Sequence, residues 1–152
     1  MNDDFFAAAK RAALQFSILT SAPLLPMRGG PSHSTDGGIY VLYENALPVH
    51  VGRTRNLRKR LQGHCSESHW HASFAFKRAR EITGIFADYR AGNSRTALAK
   101  SDIFRPIVLD QMARIRLMQY RFLLVSSPVD QYLLELYSAM ELGTSMDEFD
   151  TH

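Results

Sequence analysis

Two short runs of β-branched and aromatic residues constrain this chain more than any other feature. Ile39-Tyr40-Val41-Leu42-Tyr43 is followed by Glu44-Asn45-Ala46-Leu47-Pro48 and then by Val49-His50-Val51-Gly52. Runs of this composition separated by a polar, proline-containing stretch predict a β-hairpin, here with a loop of about five residues. A Gly/Pro/Ser-rich connector from Arg28 to Gly38 precedes it. That connector predicts a boundary between an N-terminal helical extension, residues 1–36, and a main unit, residues 37–152.

Residues 5–19 read as a helix with Asn2 or Asp3 as cap, stopped by Ala22-Pro23-Leu24-Leu25-Pro26. After the hairpin come a helix over 56–65, a second over 73–82, and a polar stretch over 83–103 in which no element is predicted. Residues 105–117 fit helix or strand, and 118–125 reads as a strand. The last helix is the best marked, with Ser127 as cap, Pro128 at its first position, Asp130 two residues further in and Gly143 as its stop. Its apolar stripe is expected at Leu133, Leu136, Tyr137 and Met140. Two hairpin strands, a third strand and these helices predict a small α+β fold, with a three-stranded antiparallel sheet flanked by helices.

The 152 residues suit a single core-bearing unit, and one cysteine, Cys65, excludes an intramolecular disulfide or a zinc site built on paired thiolates. No apolar run approaches the roughly 20 residues of a membrane span. The start Met1-Asn2-Asp3-Asp4 has the wrong charge for a signal peptide, so a cytoplasmic location is expected. The net charge of +3 conceals two opposed regions. Between Arg53 and Arg121 there are 15 Lys/Arg against 5 Asp/Glu, whereas the rest carries 3 against 10. Fourteen of the 18 basic residues are arginine, whose planar fork grips phosphate in two places, so a phosphate-rich partner is expected.

The richest pattern joins the hairpin to the helix after it. Gly38-Ile39-Tyr40 opens the first strand, and His50-Val51-Gly52 lies in the second. Then Arg53-Thr54-Arg55-Asn56-Leu57-Arg58-Lys59-Arg60-Leu61 runs on to His64. Leu57 and Leu61, four apart, face the sheet, and Arg60 and His64, also four apart, lie beside that stripe. Arg58 and Lys59 point outward. A phenol, an imidazole and a guanidinium thereby converge on one face, a combination suited to a phosphodiester.

This arrangement resembles the GIY-YIG endonuclease family, whose pattern is G-I-Y, a spacer, Y-I/V-G, then T-x-N-L-x-x-R-L and a histidine. The resemblance covers residues 37–152 and is thinnest over 83–112. It implies metal-dependent hydrolysis of DNA. Tyr40 would handle the proton of the attacking water, Arg60 would stabilise transition-state charge, and His50 and His64 would complete the catalytic set. Glu135, in Leu134-Glu135-Leu136, would hold one Mg2+ or Mn2+ ion. Periodicity alone also permits Glu141 and sets Glu135 about 130° from the expected stripe, so the choice of Glu135 comes from the resemblance. Arg53, Arg55 and Lys59 are expected to contact substrate, as is His69, which matches an H-x-x-A-S-F pattern of a family subgroup. Two positions depart from the family. His50 replaces the second tyrosine, and Asp147 replaces an asparagine in the C-terminal Asp147-Glu148-Phe149-Asp150-Thr151-His152. If these departures disarm the chemistry, the alternative is a nucleic-acid-binding or regulatory module on the same fold.

Overall fold

The computed structural model describes residues 2–28, 34–66, 72–86, 90 and 94–146. Among them are six helices and four strands: α1 (Asp3–Ser21), β1 (Leu25–Pro26), β2 (Gly38–Glu44), β3 (Leu47–Thr54), α2 (Leu57–His64), α3 (Ser73–Thr83), α4 (Arg95–Ala99), α5 (Phe104–Arg116), β4 (Gln119–Leu124) and α6 (Pro128–Leu142). The strands form one antiparallel sheet in the order β1-β4-β2-β3. The fold is α+β, as expected, but the sheet has four strands rather than three. The additional strand is Leu25-Pro26, which pairs with Tyr120 and Gln119. It lies at the sheet edge, where a proline's missing N–H leaves no ladder bond unmade.

Central strand β2 is buried on both faces, and its alternation divides the interior in two. Tyr40 and Leu42 join Leu57, Leu61, Phe76, Phe104 and Ile115 on the side of α2, α3 and α5. Ile39, Val41 and Tyr43 join Leu19 of α1 and Leu134 of α6 on the other. The segment before residue 37 takes part in both: Leu19 lies in one core, Met27 in the other, and α1 packs along α6. Across that contact Arg11 Nε and Nη2 donate to the Asp130 carboxylate at 2.9–3.3 Å.

The hairpin is tighter than expected. Glu44 pairs with Leu47, leaving Asn45 and Ala46 as a two-residue turn with φ of 52° and 66°. Positive φ at both positions gives the turn a twist that matches the strands. The register slips between Leu42 and Tyr43, so Leu42 faces His50 while Tyr43 faces Pro48. The ambiguous stretch 105–117 is helical, because Pro106 falls in the first turn of α5, where its missing N–H costs nothing. The stripe of α6 is also rotated from its expected place. Gln131, Leu134, Ser138 and Ala139 are buried, while Met140 is 65% exposed.

Candidate functional site around Tyr40 and the β3 edge

Residues 54–57 turn the end of β3 directly into α2. The Thr54 hydroxyl accepts from Asn56 N at 3.1 Å and donates to Asn56 O at 3.0 Å. Asn56 Oδ1 then caps the helix by accepting from Lys59 N at 2.9 Å. Leu57 and Leu61 are fully buried and fix the helix against the sheet. This holds Arg60 and His64 over β2.

Tyr40 sits across from Gly52, and its ring lies over that glycine. A β-carbon on Gly52 would fall inside the phenol ring and hydroxyl, so glycine is obligatory there. The Tyr40 hydroxyl is 2.7 Å from His64 Nε2, and Arg60 Nε donates to it at 3.1 Å. Arg60 Nη2 also donates to Ser73 Oγ at 3.2 Å, tying the group to the start of α3. His50 stacks on Phe74 with ring centroids 4.5 Å apart, and its ring lies 5.6 Å from that of His64. The structure thus brings Tyr40, His50, Arg60 and His64 together.

Electrostatics keep both imidazoles neutral at pH 7. Burial pushes His50 down to about 3, with Arg60 and Lys77 adding to the shift. Burial also holds His64 well below 6.5, helped by His50 and Arg60. In the tautomer with hydrogen on Nδ1, His64 Nε2 accepts the phenol proton while Arg60 presents positive charge to the same oxygen. His64 Nδ1 is buried and makes no hydrogen bond among the described residues.

Two further cations adjoin this cluster and were not singled out from the sequence. Arg80 and Arg95 both stack on Phe76, at 5.4 and 4.6 Å from its centroid. Burial lowers the pKa of Arg95, and the nearby Arg80 and Arg60 lower it further. The i, i+4 spacing of Phe76 and Arg80 was a usable signal. Arg95 had none, since it lies on α4 in a stretch with no predicted element.

The remaining predicted residues are distributed differently. Arg53 pairs with Ile39 across the hairpin, so it faces α1 and α6 rather than Tyr40. Its Nε lies 3.5 Å from Glu135 Oε2, and its guanidinium covers the Tyr132 ring at 3.9 Å. Arg53 and Arg55 line a cleft of about 630 Å³ where β2 begins and β3 and β4 end. Lys59 is exposed on α2. His69 and Asp147 lie outside the described residues.

The Tyr40 cluster and the Arg53–Glu135 pair therefore occupy opposite faces of the sheet, but at consecutive residues, Gly52 and Arg53, of edge strand β3. Among the described residues no group of three or more His, Cys, Asp or Glu side chains is placed to hold a metal ion. Magnesium needs fewer, since one or two carboxylates suffice when water and phosphate oxygens complete the shell. Glu135, its side chain 13% exposed, offers such a hard oxygen, which the ion would share with Arg53.

Comparisons with protein families, with curated proteins and with solved structures find no match to this chain.

Proposed function

We propose that this chain is a metal-dependent endonuclease that hydrolyses DNA phosphodiester bonds. The observation that carries the reading is the double grip on the Tyr40 hydroxyl by His64 Nε2 and Arg60 Nε. As water attacks phosphorus, Tyr40 Oη takes the water proton and passes its own to His64 Nε2. The negative charge of the bound phosphate offsets the burial and the Arg60 charge that otherwise keep His64 neutral. Arg60 meets the negative charge that develops on the phosphate oxygens, in a site from which burial excludes competing solvent. Arg80 and Arg95 extend this positive surface and hold neighbouring phosphates. Mg2+ or Mn2+ held by Glu135 would neutralise charge and stabilise the leaving oxygen. The strand would lie across the β3 edge, within reach of groups on both faces.

A second reading, a DNA-binding module without catalysis, is favoured by two specific observations. His50 is packed flat on Phe74 and Glu135 is engaged by Arg53, as structural residues would be. Nicking of supercoiled plasmid decides between the two. The nuclease reading expects conversion to open circles in magnesium or manganese, none in EDTA, and loss in Glu135→Ala. Binding that weakens steeply with salt, without cleavage in either metal, selects the second reading.

A further inference from the structure

The cleft at the strand ends lies apart from the Tyr40 cluster and has its own chemistry. Arg53, Arg55, Asp36, Gly37, Gln131 and Tyr132 are among its lining residues, and its volume is about 630 Å³. That is the size class of small-ligand sites, with room for a base, a sugar and a phosphate. Arg55 is exposed at its rim, and Tyr132 is 55% exposed as a residue. The Arg53 guanidinium lies over that ring at 3.9 Å and beside Glu135 at 3.5 Å, so cation and aromatic surface form one preset platform.

We propose that this cleft binds one nucleotide unit of a nucleic-acid strand, with its phosphate between Arg53 and Arg55 and its base against the part of Tyr132 that Arg53 leaves open. Paired arginines match the oxygens of a phosphate, and an aromatic face beside them is how single-stranded nucleic acid is held without sequence preference. Asp36 limits the site to one phosphate, because its carboxylate repels a second, and it offers an acceptor to a sugar hydroxyl or base N–H. The proposal extends the nuclease reading, since the same strand would run on over the β3 edge towards Tyr40. The binding itself does not depend on cleavage.

The test is a titration of the full chain in EDTA, followed by NMR or calorimetry, with thymidine monophosphate, thymidine triphosphate, inorganic phosphate and a short oligothymidylate. The monophosphate is expected to bind more tightly than phosphate or the triphosphate, and the oligonucleotide to compete for the same site. Arg55→Gln should weaken monophosphate and phosphate binding together by about tenfold. Tyr132→Leu should weaken the monophosphate by about tenfold and leave phosphate unchanged. Both side chains are exposed, and unchanged thermal unfolding of the variants verifies their fold. Equal affinity for phosphate and monophosphate would overturn the proposal, as would insensitivity to both substitutions. Failure of the oligonucleotide to compete would overturn the assignment to a strand. Because metal is absent, a chain that binds here but never nicks DNA would sink the nuclease reading alone.

Discussion

The two faces of the sheet solve opposite problems with similar residues. On the α2–α3 face, a phenol, two imidazoles and a guanidinium are packed among aromatic rings, and burial keeps the imidazoles uncharged. On the α6 face, Arg53 Nε lies 3.5 Å from Glu135 Oε2 beside an open cleft. Low dielectric keeps titratable groups in their neutral forms and penalises every unpaired charge, whereas a wetter site tolerates charge and can exchange it for a ligand's. On the proposed reading, the proton-handling Tyr40 cluster on one face and the metal ligand Glu135 with its cleft on the other are separated by the thickness of one edge strand. Gly52 and Arg53, adjacent in sequence, serve different faces.

The largest effect that would break this division is on cleavage. Arg60→Ala should reduce plasmid nicking by about 10²–10³-fold, the cost of removing a transition-state donor. Arg55→Ala, on the other face, should act mainly through affinity, raising KM with little change in kcat. Equal kcat losses in both would erase the distinction.

Next in size is Gly52→Ala. The new methyl meets the Tyr40 ring, and overpacking of this kind costs about 3 kcal/mol, readable as a lower urea midpoint. An unchanged midpoint would mean that the ring does not lie where the α2–α3 face requires.

The neutral imidazoles give a third prediction. The unfolded chain takes up histidine protons near 6.5, while folded His50 resists protonation down to about 3. The unfolded state therefore binds more protons, so the stability present above about pH 6.5 is lost as pH falls below it. The slope is about 1.4 kcal/mol per pH unit for each histidine so held. Urea unfolding between pH 7 and pH 5 measures it, and His50→Phe should flatten it. A slope unchanged by that substitution would show that this face does not hold His50 neutral.

The smallest effect sharpens the α6 side. Ser127 Oγ accepts from Asp130 N at 3.3 Å, and Ser127→Ala should cost about 1 kcal/mol of stability while leaving the Tyr40 cluster intact. Loss of stability should therefore come without loss of the pH slope.

Local signals made the α2–α3 face legible in the sequence. The hairpin runs, the Thr54–Asn56 cap and the four-residue spacing of Arg60 and His64 each act over a few residues, and together they fix the cluster geometry. The α6 face was less legible because tertiary contact overrides periodicity there. Counting apolar residues put the stripe at Leu133, Leu136, Tyr137 and Met140, but the helix buries Gln131, Ser138 and Ala139 with Leu134. Small and polar residues allow α6 to approach the sheet, and Glu135, four residues after Gln131, then shares its inward side and meets Arg53. Strand β1 had no local signal, since two residues including a proline become a strand only when β4 supplies the partner. The two-residue turn was hidden for a similar reason. Asn45-Ala46 lacks the glycine that usually announces two positive φ values.

The central claim is that the Tyr40 hydroxyl, held between His64 and Arg60, moves the proton in phosphodiester cleavage. Replacing Tyr40 with phenylalanine deletes that oxygen and little else, so the nicking rate of the Tyr40→Phe variant in magnesium is the most direct test. The predicted result is a loss of about 10²–10⁴-fold at unchanged DNA affinity, with unfolding still cooperative and stability lowered by only about 1–3 kcal/mol for the hydrogen bonds lost. A Tyr40→Phe protein that nicks plasmid at the parent rate would contradict it.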